Sequence, residues 1–284
     1  MSFFVKYPRI DIERAVVAVT GGARGIGRAT AARFVAAGAA VVLGDRDLET
    51  ATATARELGC QALALDVGSR ESFAGFRAAI ESAHGPISIL VNNAGVMPLG
   101  NFLDEADSVT ATQINVNLWG PINGMREVLP GMIERRRGHV VNVASLAGKM
   151  PTPGGSVYSA TKHAVVGLSA SVRDEVADHG VSVTTILPSL VNTDLGAGLS
   201  MPAAVTVEPE DIAAAIVEST LHRRAEIVIP GWLGAAERTS HLLPNSVLQG
   251  LRRQAGGAEL STEANADPRR AEYLTRLGKQ VSDA

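Results

Sequence analysis

A single cysteine, Cys60, stands among 284 residues. It can form no internal disulfide, and its isolation fits a reducing compartment. The six histidines (84, 139, 163, 179, 222 and 241) include no i,i+4 pair and have no cysteine cluster to join, so no zinc site is expected and no metal ligand can be named. A positive surplus is missing too: 26 basic residues against 29 acidic ones give a formal net charge of -3. A sequence-independent grip on nucleic acid needs a basic surface that displaces counterions, so no nucleic-acid partner is expected. Long apolar runs are absent. One of the longer stretches, 34–44, is bounded by Arg33 and Asp45 and is too short to span a bilayer. Lys6, Pro8 and Arg9 interrupt what would have to be the apolar part of a signal peptide. The expectation is a cytoplasmic protein without a transmembrane segment.

What is present is enough apolar material for a full core: 46% of residues are apolar and 19% charged. Short β-branched runs at 15–20, 40–44, 61–65, 87–91, 139–144, 181–187 and 227–229 alternate with amphipathic segments at 27–37, 48–58, 69–83, 108–134, 156–179 and 209–221. Several of the runs are apolar at consecutive positions, as strands covered on both faces are. Strand and helix alternating in this way predict an α/β fold with a doubly wound parallel sheet. The composition changes after Trp232. Residues 1–231 therefore read as one domain and 232–284 as a helical, partly flexible extension. Its first helix (241–253) is expected to dock and the remainder, including a closing helix at 269–281, to be looser.

The first strand runs into Thr20-Gly21-Gly22-Ala23-Arg24-Gly25-Ile26-Gly27 and then into a helix. Glycine there permits positive φ and lets a phosphate approach the backbone, while Arg24, Ile26 and the helix N-terminus contribute amides that favour a pyrophosphate. The spacing is G-x3-G-x-G rather than the commoner dinucleotide G-x-G-x-x-G. About 20 residues on, the second strand ends at Asp45, placed to accept hydrogen bonds from an adenosine ribose and to repel a 2′-phosphate. That favours NAD, and Arg24 and Arg46 keep NADP open. Asp66 and Val67, after the third strand, are placed to hold an adenine edge. The turn Asn92-Asn93-Ala94-Gly95 is expected both to floor the cofactor and to tie strands together, with Asn93 wholly structural in the plainer account.

Tyr158 and Lys162 lie four residues apart on one helix, so their head groups share a face. A tyrosine titrates near 10, too high for efficient proton exchange at neutral pH. A cation within about 4–6 Å lowers that value by roughly 1–3 units. Ser145 follows the fifth strand, at the carboxyl edge where open α/β sheets bind ligands; a turn or cap serine is the plain alternative.

In order and spacing, Thr20–Gly27, Asp45, Asp66, Asn92–Gly95, Ser145, Tyr158 and Lys162 together resemble the short-chain dehydrogenase/reductase family in its shorter, single-domain branch, over roughly residues 15–231. The resemblance implies a Rossmann-type sheet of about seven parallel strands, a nicotinamide cofactor, and hydride exchange between an alcohol and a ketone or aldehyde. It implies Tyr158 as proton donor or acceptor and Ser145 as holder of the substrate oxygen. Lys162 would bind the nicotinamide ribose and depress the tyrosine pKa. Asn117 would help place a water in a proton relay, with Asn115 structural. Pro188, Val191 and Thr193 would contact the nicotinamide, although Ser189 stands where the family usually has glycine. Residues 193–207, with Leu195, Leu199, Met201 and Val205, would form a mobile lid, and their apolar character points to a hydrophobic small molecule. The two long helices imply a homodimer or homotetramer. A non-catalytic dinucleotide sensor or scaffold of the same fold is the rival reading; such a protein would be expected to have lost Ser145, Tyr158 or Lys162.

Overall fold

The computed structural model describes residues 7–199, 202–240 and 267–282. Along β1 (Val16–Thr20) every residue is buried. Val16 and Ala18 enter one core while Val17 and Val19 enter another. A strand sandwiched in this way has no polar face, and this is why the strands read as unbroken apolar runs. The strands β2 (Ala40–Asp45), β3 (Gln61–Ala64), β4 (Ile89–Asn92), β5 (Gly138–Val143), β6 (Val181–Pro188), β7 (Leu190–Val191), β8 (Thr206–Val207) and β9 (Glu226–Ile229) follow in the chain. Seven of them form one parallel sheet in the order β3-β2-β1-β4-β5-β6-β9. β7 and β8 pair separately in a short parallel ribbon, which the sequence pattern does not announce.

On one face lie α1 (Gly25–Ala36), α2 (Leu48–Leu58) and α7 (Pro209–His222), which bury Phe34, Ala55, Ile212 and Ile216. The other face is covered by α3 (Arg70–His84), α5 (Gly120–Glu134) and α6 (Ser156–Val176), through Phe73, Ile80, Met125, Met132 and Val176. Full burial of a side chain such as Phe34 contributes about 1.5–3 kcal/mol. The order reverses between β1 and β4, and in such sheets the crevice at the carboxyl ends beside that reversal is the ligand site.

Two expectations need correction. The stretch 108–134 is not one helix: α4 (Asp107–Ile114) and α5 are separated by a π turn at Asn115–Trp119, where the Gly120 amide bonds back to the Asn115 carbonyl. Pro121 has no amide hydrogen for the carbonyl of Asn117, so the α-helical ladder cannot run through in register. The closing helix of the extension also departs from expectation. After α8 (Gly231–Ser240), the closing helix α9 (Pro268–Ser282) is not loose: it buries Arg270, Tyr273 and Leu277 against the domain. Residues three and four apart on a helix share a face, and these three form such a stripe. The expected docking helix at 241–253 lies outside the described residues. Among the described residues no helix is long and apolar enough to cross a membrane, and no cluster of three potential metal ligands occurs.

Candidate active site

The glycine-rich turn is shaped by close backbone approach. Gly21 has φ +65°, and a Cβ there would lie 2.8 Å from the Ala94 Cα. A Cβ on Gly27 would overlap the Gly21 carbonyl and lie 2.7 Å from Asn93 Nδ2. Asn93 fastens the neighbouring turn to this one. Its Nδ2 donates to the carbonyls of Thr20 (2.9 Å) and Gly21 (3.0 Å), while Thr20 Oγ1 accepts from the amides of Asn93 (3.0 Å) and Ala94 (3.1 Å). The structural role of Thr20 was not read from the sequence. Gly25, with φ +51°, faces Thr193, whose Cγ2 would lie 3.1 Å from an added Cβ. Two cofactor-segment residues 168 positions apart thus meet.

The N-terminus of α1 has neither a side-chain cap nor an acid in its first turn. In contrast, α2 is capped by Asp47, α3 by Ser69, and α7 by a reciprocal Glu208–Asp211 box. Uncapped first-turn amides and the positive end of the helix dipole suit an anionic group, so this turn fits a dinucleotide pyrophosphate. At the end of β2, Asp45 Oδ2 accepts from the Ala23 amide and Oδ1 from the Asp47 amide, each at 3.0 Å. Burial pushes the Asp45 carboxyl up, opposed by those two amides. Arg24 is turned away to Asp47 Oδ2 (2.8 Å) and Thr50 Oγ1 (2.7 Å). Burial raises the Asp47 carboxyl, but the Thr50 amide and hydroxyl and Arg24 together hold it below its ordinary value.

The other cofactor candidates divide. Asp66 is exposed, with Oδ1 accepting from the Gly68 amide at 2.9 Å. Val67 is buried beneath Gly120, and its carbonyl accepts from Asn123 Nδ2 at 2.9 Å. The Asn92 side chain is turned into the sheet, where it donates to Asn142 Oδ1 at 2.8 Å, so it bridges β4 and β5. Gly95 lies beside Asn117 and Lys162: a Cβ there would be 3.4 Å from Asn117 Oδ1 and 3.7 Å from Lys162 Nζ. Asn117 is held by the Val96 amide (2.8 Å), the Val96 carbonyl (2.9 Å) and Thr161 Oγ1 (3.2 Å). Asn115 is exposed.

Ser145 begins the turn after β5. Its Oγ accepts from the Ala147 amide at 3.1 Å and lies beside the Tyr158 phenol, where it opposes the effect of burial. It also approaches the Pro188 carbonyl at 3.5 Å, while Val191 is buried in the adjoining β7. A Cβ on Gly148 would lie 2.7 Å from the Lys162 carbonyl, so this glycine lets the serine turn lie against α6. Lys162 Nζ sits over the Tyr158 ring, 5.6 Å from its centroid, and donates to the Val143 carbonyl at 3.0 Å. The expected depression of the phenol does not occur in this arrangement. Burial pushes Tyr158 up to about 12, opposed by the Ser145 hydroxyl, and burial takes Lys162 down to about 8. The ammonium donates to the Val143 carbonyl and lies over the ring, and desolvation disfavours both charged forms.

Two residues beyond the expected set close the arrangement. Arg270, fully buried, donates to the carbonyls of Met97 (2.7 Å), Leu195 (3.1 Å) and Ala197 (3.2 Å). Tyr273 Oη accepts from the Met97 amide at 2.6 Å. Their positions, more than 170 residues downstream, gave no local signal. Met201, in the expected lid, lies outside the described residues.

A family model for short chain dehydrogenases matches residues 15–202. The bovine dehydrogenase/reductase SDR family member 7B is 34% identical over 198 residues, covering 66% of this chain and 61% of that protein. The chain thus matches less than two thirds of that relative's length. A metagenomic short-chain oxidoreductase solved in complex with NADP superposes with a TM-score of 0.69 at 33% identity, covering 77% of this chain and 97% of the other. A short chain dehydrogenase/reductase from Burkholderia phymatum, solved with NAD, gives 0.74 at 25% identity, covering 84% and 96%. The sheet order, the glycine turn, the Ser145–Tyr158–Lys162 cluster and these likenesses agree: the chain belongs to the short-chain dehydrogenase/reductase family.

Proposed function

We propose that this enzyme interconverts a secondary alcohol and a ketone on a small hydrophobic molecule, with Tyr158 exchanging the proton and NAD as the preferred cofactor. The observation that carries the reading is the convergence of Ser145, Tyr158 and Lys162 at the carboxyl edge of the sheet, with the Lys162 ammonium 5.6 Å from the centroid of the Tyr158 ring. A bound nicotinamide supplies or takes up the hydride. The chain's own groups handle the oxygen and the proton. Ser145 and Tyr158 present hydroxyls where charge grows on the reacting oxygen, a preorganised stabilisation. With its hydroxyl at about 12, Tyr158 holds its proton at neutral pH and is a donor toward a carbonyl. Lys162, at about 8, binds the nicotinamide ribose and restores the phenol's proton. Asn117 positions a water for that exchange, because Pro121 withholds the α-helical donor from its carbonyl.

The pyrophosphate rests on the uncapped α1 turn at Gly21, Arg24, Gly25, Ile26 and Gly27. Asp66 and Val67 border the adenine, the main chain of Asn92, Ala94 and Gly95 forms the floor, and Pro188, Val191 and Thr193 hold the nicotinamide end. NAD is favoured because Asp45 repels a 2′-phosphate while Arg24 is engaged by Asp47 and Thr50. Exposed Trp119 on the long-helix face suits a homodimer or homotetramer. Light scattering of the purified chain checks this, and a monomer at working concentration contradicts it.

The reading is tested by titrating NAD(H) and NADP(H) and following hydride transfer across a panel of alcohols and ketones. Turnover of apolar secondary alcohols with tighter NAD binding is expected. Dinucleotide binding without turnover of any substrate would make the protein a sensor instead.

A further inference from the structure

Arg270 is unusual for a guanidinium: it has no solvent exposure, and the partners named above are main-chain carbonyls from two separate loops. Charged groups enter an interior only where their donors are matched, so this side chain fixes the relation of everything it touches. It joins α9 to Met97, just beyond the Asn92–Gly95 turn, and to the 194–197 turn that follows Thr193. Tyr273 lies under it, 5.4 Å from guanidinium carbon to ring centroid, and receives the Met97 amide. Arg276 adds an ion pair to Asp194 at 2.7 Å. The tail helix is therefore fastened both to the segment that follows the Asn92–Gly95 turn and to the turn that follows Thr193, the two loops that flank the proposed site.

Between α9 and the segment after Met97 lies a cavity of about 390 Å³, with Leu99, Val109, Leu274, Leu277 and Val281 among its walls. That volume falls in the range of small-molecule sites, about 300–1,000 Å³. The cavity adjoins the foot of the tyrosine helix. Leu99 Cδ2 would lie 3.4 Å from a Cβ on Gly155, and the Gly100 amide donates to the Gly154 carbonyl at 2.9 Å. Gly155 immediately precedes α6, whose third residue is Tyr158. Asp104 and Glu105 also line the cavity, and no lysine or arginine among the described residues does. Two carboxylates with no cation among the described lining residues repel an anionic group.

We propose that α9 is the substrate-side wall of this enzyme and that the cavity along it receives the uncharged apolar part of the alcohol or ketone. The assignment rests on the oxidoreductase reading and adds the chemistry of the group the site selects. Long apolar chains are favoured over short ones, and neutral chains over those ending in a carboxylate.

The test compares secondary alcohols of four and ten carbons, and a ten-carbon alcohol with a terminal carboxylate, on the full-length enzyme with saturating NAD. Val109→Phe and Val281→Phe fill the cavity from opposite walls at half-buried positions, and thermal melts verify that each folds. The expected result is a rise of about tenfold or more in KM for the ten-carbon alcohol, since each buried methylene is worth about 0.8 kcal/mol. KM for the four-carbon alcohol and the NADH dissociation constant, read by fluorescence, stay within about twofold. The carboxylate-bearing alcohol is the poorest long substrate of the wild type. If both filling variants fold and treat the two neutral alcohols as the wild type does, the cavity is not the substrate wall. Equal losses on both chain lengths overturn the assignment as well. If the wild type binds NADH yet turns over none of the alcohols or their ketones, the oxidoreductase reading itself falls, and the substrate wall with it.

Discussion

The two halves of the site are built differently. The proposed cofactor half, from Thr20 to Gly95, is made of main-chain turns packed so closely that a Cβ would not fit at Gly21 or Gly27, with no side-chain cap at the start of α1. The proposed substrate half is assembled from distant pieces: Met97, the 194–197 turn and α9, joined by one buried guanidinium and one buried phenol. The first half is announced by one short glycine-rich turn, which is then tied to the Asn92–Gly95 turn across 72–74 residues. The second depends on contacts more than 170 residues apart, and the loop-closure entropy they incur must be offset by burial and charged hydrogen bonds. The difference teaches that binding the dinucleotide and selecting the substrate can be altered separately.

The sharpest break of that comparison is Gly27→Ala. The added methyl meets the Gly21 carbonyl and Asn93 Nδ2, so the turn must open at a cost of about 3 kcal/mol or more. Calorimetric titration should show dinucleotide affinity falling at least about a hundredfold, which is about 2.7 kcal/mol. Arg270→Leu breaks the other half. Carbonyls of Met97, Leu195 and Ala197 lose a charged donor, and stability in urea should fall by about 2 kcal/mol while dinucleotide affinity is retained. Asp45→Asn sharpens the cofactor half alone: it removes repulsion of a 2′-phosphate, and the ratio of NAD to NADP affinity should fall about tenfold, or about 1.4 kcal/mol.

The smallest effect belongs to neither half. His139, at the opposite end of β5, is bonded by Ser182 and Ser219 and is held well below its usual pKa by burial, reinforced by the Arg223 charge. The unfolded chain therefore takes up this proton first, so the stability contribution is complete above about pH 6.5 and is lost as pH falls below it. Urea unfolding should show a loss of about 0.7 kcal/mol between pH 7 and pH 6, absent in His139→Gln.

Most of the fold was legible because the inner strands of the sheet bury both faces and each covering helix buries one, which leaves distinct patterns in the chain. Asp45, Ser145, Tyr158 and Lys162 were legible because each falls at a strand end or on one helix face. Lys162's effect on Tyr158 was not, because the sign depends on whether the ammonium faces the phenol oxygen or the Val143 carbonyl. The break at Asn115–Trp119 was signalled by Pro121, whose missing amide hydrogen is visible in the sequence, yet apolar periodicity ran through it. Arg270 and Tyr273 were illegible: a basic residue on an amphipathic tail reads as a solvated face, and only the tertiary arrangement supplies the carbonyls that bury it.

The most direct measurement is single-turnover hydride transfer by Tyr158→Phe alongside NADH affinity for the same protein. If this phenol exchanges the substrate proton, the rate falls by about a hundredfold or more while NADH binds as to the wild type. Transfer at the wild-type rate would contradict the account and require a different group to handle the proton.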